Sequence, residues 1–134
     1  MRRLIPLLTV VAALTGAASA DAKRLTRYDV GGGIAGRVDH LVISTGGTAT
    51  QSGSSGEHRF KLSTRRLHAL KRDLEAARFG SLKRRYRPSR TVFDGIGQSV
   101  RYRGKTVSVS SGAKYPKRLA RVLGRLARLM RHSS

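Results

Sequence analysis

Four histidines, His40, His58, His68 and His132, are the first side chains to weigh, because imidazole serves both metal ligation and proton transfer. None forms an H-x-x-x-H pair. Asp39 and His40 are adjacent in a β-branched stretch and so point to opposite faces of a strand. A zinc site needs three or four converging ligands, which this spacing does not supply. It leaves open only that His40 and His58 are cross-strand neighbours. Carboxylate pairs are scarce, since Asp73 and Glu75 are two apart in a helical pattern and diverge. Asp94, in Phe93-Asp94-Gly95, reads as a turn residue. Serines are plentiful, but no G-x-S-x-G is present and nothing marks out a Ser-His-Asp set. The expectation is a protein that is not an enzyme and binds no metal or cofactor.

Two patterns remain. Gly31-x-Gly33-x-x-Gly36 matches the letters of the dinucleotide fingerprint. That fingerprint works only where the glycines open a helix whose N-terminus receives a pyrophosphate. Here Arg37 to Ser44 follows, and it reads as a strand. The plainer reading is a turn between strands, where glycine permits a positive φ or a close backbone approach. The second pattern is cationic. Arg118, Arg121, Arg125 and Arg128 recur at steps of three and four residues, which predicts one ridge on a helix. Lys83 to Arg90 adds a basic connection holding Arg84, Arg85 and Arg87. Such a surface attracts polyanions by counterion release, with cell-wall polymers and lipid headgroups as the candidates. With no Trp and only three Phe, no platform for base stacking is expected, and so no specific nucleic-acid partner. The plainer reading of the ridge is a solvated helix face.

The elements that must carry these residues fit one domain. The chain has 134 residues, 28 basic and 7 acidic, and a net charge of +21. Residues 1–20 read as a secretory signal peptide: Arg2 and Arg3, an apolar run from Leu4 to Leu14, then Ala18-Ser19-Ala20 as the cleavage site. Cleavage after Ala20 leaves 114 residues, 26 basic against 7 acidic, with a charge of +19. A secreted or cell-envelope address follows, with no transmembrane segment after cleavage and a bacterial origin suggested by export without cysteine. The absence of Cys excludes a disulfide scaffold, thiol catalysis and a lipoprotein anchor.

Residues 21–134 are expected to form a single α+β domain. Leu25 to Val30, Arg37 to Ser44 and Glu57 to Leu62 read as strands, the last with His58, Phe60 and Leu62 on its inner side. Residues 45–56, rich in Gly, Ser and Thr, read as a flexible loop. Ser63 caps a helix carrying Leu67, Leu70, Leu74 and Ala77, with Gly80 at its stop. A hairpin turning at Gly104-Lys105 follows, and Pro116 opens a last helix with Leu119, Val122, Leu123, Leu126 and Met130 inward. The expected fold is a small antiparallel sheet of four to five strands. Two helices cover one face, over Phe60, Val100, Tyr102, Val107 and Val109. The other face shows Arg59, Lys61, Arg101 and Arg103 to water.

Three pieces in order resemble the emfourin family, small bacterial inhibitors of thermolysin-like (protealysin-type) metallopeptidases. They are Gly32-Gly33-Ile34-Ala35-Gly36 between two strands, the helix from Leu67 through Phe79 to Leu82, and Val100-x-Tyr102-x-Gly104-Lys105-Thr106-Val107-x-Val109 before Pro116 and the last helix. The resemblance covers about residues 25 to 130. The chain departs from the family in carrying Ile34 in place of Phe, an extra Gly31, the Thr45 to Gly56 stretch and a far higher charge. What the resemblance implies is a secreted metallopeptidase as the protein partner. The loop Gly31, Gly32, Gly33, Ile34, Ala35 and Gly36 would meet the peptidase cleft, with backbone carbonyls or a freed N-terminal Asp21 near its zinc.

Overall fold

The computed structural model describes residues 24–34, 36–54, 56–90 and 95–132. The leader with its cleavage site, Asp21, Ala35, Phe93 and Asp94 lie outside the described residues. Seven strands form one sheet: β1 (Arg24–Gly32), β2 (Arg37–Ser44), β3 (Thr48–Gly53), β4 (Gly56–Lys61), β5 (Arg85–Tyr86), β6 (Ile96–Tyr102) and β7 (Lys105–Ser110). Their spatial order is β4-β3-β2-β1-β6-β7-β5. Helix α1 (Thr64–Ala76) lies between β4 and β5 in sequence, and helix α2 (Lys117–His132) follows β7. All neighbours are antiparallel except β5 and β7, so the sheet is mixed.

The register assigns each side chain to a face. Tyr28 sits opposite Leu41 on β2 and Val100 on β6, and Val100 opposite Val107 on β7. These residues, with Ile43, Ala49, Tyr102 and Val109, form one buried cluster with Leu67, Leu70 and Leu74 of α1 and Leu119, Val122, Leu123, Leu126 and Leu129 of α2. Both helices therefore cover the same face. Two polar groups buried on β1 are paired: Tyr28 Oη donates to Gln98 Oε1 at 2.7 Å and Thr26 Oγ1 to the Arg101 carbonyl at 2.8 Å. The uncovered face carries Arg27, Arg101 and Arg59 with Thr50, Thr106, Ser99 and Ser108, as the alternation requires.

Several expectations are corrected. Four to five strands become seven. Residues 45–56 are not a loop, because β3 occupies Thr48–Gly53 within them, between β2 and β4. Its inward residues are only Ala49 and Gln51, so the strand has no hydrophobic alternation to read. The purely antiparallel sheet gains a parallel edge in β5, two residues inside a basic run. β4 is the opposite edge, where His58 is exposed and Phe60 only half-buried. Helix α1 ends at Ala76, short of Gly80, and Arg78 takes the left-handed turn at φ 50°. That turn sends Phe79 inward, where its ring meets Tyr102 edge-on at 5.3 Å. The hairpin turns at Arg103 and Gly104, both with positive φ, one residue before the expected position. Arg103 leaves the open face and lies 5.2 Å over the Tyr102 ring. Pro116 precedes the first helical residue, and its carbonyl accepts from Leu119 and Ala120. On α2, Leu129 is buried and Met130 only partly.

Candidate functional site

The glycine loop sits at one end of the sheet. β1 keeps pairing through Gly31 and Gly32, which face Val38 and Arg37 of β2 and Gly97 and Ile96 of β6. Gly32 has φ 121°, and a Cβ there would stand 2.6 Å from the Gly95 carbonyl oxygen. Only glycine fits that approach. The Gly36 N–H then donates to the Gly33 carbonyl at 3.1 Å, closing a turn with Ile34 near its tip. The glycines open a strand rather than a helix, so the turn has no phosphate-cradling geometry.

Three large apolar side chains are exposed among the described residues: Ile34 at 91%, Ile96 at 51% and Val38 at 47%. All three surround this end of β1. Val38 lies over Gly31 on the open face, its Cγ2 at 3.1 Å from where a Gly31 Cβ would stand. Ile96 lies opposite Gly32, whose alternation places it on the other face. The end of the sheet is thus a wedge, apolar on both sides and at its tip. Ser111 Oγ accepts from the Ile96 N–H and donates to the Ile96 carbonyl, both at 2.8 Å, which holds that side of the wedge in place. Beside it is a dent of about 370 Å³ lined by Arg87, Pro88, Gly95, Ile96, Gly97, Ser110 and Ser111.

The cationic residues are distributed over the loop end, the β5 edge and α2. Arg87 joins the loop end, while Arg84 and Arg85 are exposed at the β5 edge. On α2, Arg118 donates from Nε to the Ala77 carbonyl at 2.9 Å and from Nη2 to Ser81 Oγ at 3.2 Å. Arg125 Nε meets Asp73 Oδ2 at 2.5 Å. These two arginines tie α2 antiparallel to α1 rather than facing only water. Arg121 and Arg128 are exposed. The spacing on α2 showed the ridge, but not that half of it meets α1.

A polar cluster that the sequence reading missed lies on the open face. Asp29 stands directly across from His40 and accepts from its Nδ1. Arg27 Nε reaches both Asp29 oxygens at 3.1 Å, and Ser99 Oγ reaches Oδ2 at 3.4 Å. The carboxylate lies between serine and imidazole, so the imidazole is not beside the hydroxyl, and the order differs from that of a nucleophilic triad. His58 is on the opposite face, across from Gln51, and is not a neighbour of His40. Among the described residues no three of His, Cys, Asp and Glu gather in a group that could hold a metal. Nor is any described helix long and apolar enough to cross a membrane. Burial pushes the Tyr28 phenol up to about 12, with Tyr115 adding to the shift. Tyr28 is a core residue, and this titration belongs to stability.

No family model and no curated protein matches the chain.

Proposed function

We propose that the chain is a secreted, non-enzymatic protein-binding domain that inserts the Gly31–Gly36 end of its sheet into a cleft of its partner. A thermolysin-type metallopeptidase is the partner that the emfourin-like pattern implies, and inhibition is the outcome. The observation that carries the reading is the wedge: Ile34, Val38 and Ile96, the large apolar side chains exposed among the described residues, surround one strand end. Exposed aliphatic groups cost little singly, but their gathering on a glycine-rich, backbone-paired tip is the anatomy of a contact surface. Open space around Gly33 and Gly36 lets a partner's backbone come close. The test is titration of the protein into such a peptidase at about 0.5 M salt, where the Debye length is about 4 Å. The reading expects peptide hydrolysis to fall with wild type and to recover when Gly33-Ile34-Ala35 is replaced by bulkier residues. Undiminished hydrolysis with wild type overturns it.

A second reading is supported by a different observation. Helix α2 carries six Lys or Arg and no acid, and Arg121 and Arg128 are exposed on it, as are Arg84 and Arg85 at the sheet edge. In this reading the protein is held at the cell envelope by an anionic wall polymer or by lipid headgroups. Heparin retention that falls steeply with salt, and falls further in Arg121→Gln/Arg128→Gln, is the expected result. Retention unchanged by the substitutions would remove it.

A further inference from the structure

The antiparallel helix pair brings Arg66 of α1 beside Arg125 and Arg128 of α2, around a cavity of about 220 Å³ floored by Leu129. Arg125 is held there by its Nε contact to Asp73, and its two terminal amino groups make no other hydrogen bond among the described residues. Of the three guanidinium groups only that of Arg125 meets a carboxylate, so Arg66 and Arg128 bring two further positive charges to one small site. The local backbone does not relieve them. The first turn of α1 is Thr64, Arg65 and Arg66 with no acid, although a helix N-terminus already favours negative charge. A local rule broken without compensation inside the fold is the pattern expected of a binding site.

We propose that this cavity binds a phosphate monoester. At neutral pH such a group carries a charge of about −1.5 to −2, which matches the uncompensated charge of the site, whereas a phosphodiester or a carboxylate carries half as much. Guanidinium forks pair two N–H groups with two phosphate oxygens, and Arg125 is already positioned for this by Asp73. The buried Leu129 excludes water from the floor and strengthens those contacts. The site narrows the anion-binding reading of α2 from a whole ridge to Arg66, Arg125 and Arg128. It leaves Arg121 outside, and it does not depend on the wedge.

Calorimetric titration of the purified protein at low salt tests it, with glycerol 3-phosphate as the monoester and dimethyl phosphate as the diester. The monoester should bind about tenfold more tightly than the diester, and Arg66→Gln and Arg128→Gln should each weaken it about tenfold. Arg121→Gln should leave it within about twofold, since that side chain is outside the cavity. Vesicles containing phosphatidic acid form a second arm: stronger binding there, lost in Arg66→Gln, supports the site with a lipid headgroup as the source of the phosphate. Equal binding of monoester and diester, equal loss in Arg121→Gln, or no heat with the monoester at millimolar concentration overturns the proposal. Heparin retention that persists while monoester binding is absent keeps the wider polyanion reading and rejects this one. Unchanged thermal midpoints of the variants separate lost binding from lost fold.

Discussion

At the loop end of the sheet, three exposed aliphatic side chains surround Gly31 and Gly32, whose backbone the sheet pairs on both sides. On the helix layer the corresponding side chains are long cations, and whether each is fixed depends on what α1 offers across the seam. Arg118 and Arg125 find a carbonyl and a carboxylate there, while Arg121 does not. The difference separates two kinds of recognition. An aliphatic wedge rooted in paired backbone binds by burying apolar surface and is little affected by salt. An arginine surface attracts from a distance, is screened by salt, and gains direction only where a neighbour holds the guanidinium.

The largest expected effect comes from Gly32, where the loop end depends on one close backbone approach. Gly32→Ala should destabilise the fold by about 2–3 kcal/mol, read as a lower denaturant midpoint, because a Cβ meets the Gly95 carbonyl at 2.6 Å. The same change at Gly33, with open space around it, costs about 1 kcal/mol for its positive φ alone. Equal costs at the two positions would break the picture of a tip braced from beneath.

Next is the wedge itself. Ile34→Asp should weaken partner binding by about 2 kcal/mol or more, roughly thirtyfold, as expected of a central contact. Folding stability should stay within about 0.5 kcal/mol, because the side chain is 91% exposed.

On the helix side, Arg125→Gln should cost about 1 kcal/mol of stability by removing the Asp73 contact of a half-buried pair. Arg121→Gln should cost nothing measurable. This pair of variants sharpens the distinction between an arginine that the neighbouring helix holds and one that stands exposed.

The smallest effect near neutral pH is that of Tyr28, whose phenol is pushed up to about 12 by burial. The unfolded chain releases this proton near the ordinary value of 10 while the folded chain keeps it. Its contribution is therefore complete below pH 10 and lost as pH rises toward 12. Denaturant midpoints measured across that range should fall, and Tyr28→Phe should flatten this part of the decline.

Much of the fold was readable because its signals are local. Ser63 as a cap, the α1 leucines, the α2 stripe from Leu119 to Leu126 and the alternation of Val100 and Tyr102 each follow from one element's own periodicity. β3 and β5 were not readable, for different reasons. β3 buries Ala49 and Gln51, which carry no hydrophobic signal, and β5 is two residues whose strand state comes from pairing with β7. The wedge was half legible. The glycines and Ile34 stood out, but Val38 and Ile96 are 58 residues apart in sequence and meet only through the β2-β1-β6 register. The Asp29–His40 contact and the Arg66–Arg128 cavity likewise depend on register and helix crossing, which composition does not carry.

The most direct test of the central claim is inhibition of a thermolysin-type metallopeptidase by wild type and Ile34→Asp, each at about 0.05 M and 0.5 M salt, since the Debye length falls from about 14 Å to about 4 Å between them. The wedge account predicts wild-type inhibition that is the same at both salt concentrations and absent in Ile34→Asp. Inhibition that disappears at the higher salt and is equal in the two proteins would contradict it, and would move recognition to the arginines.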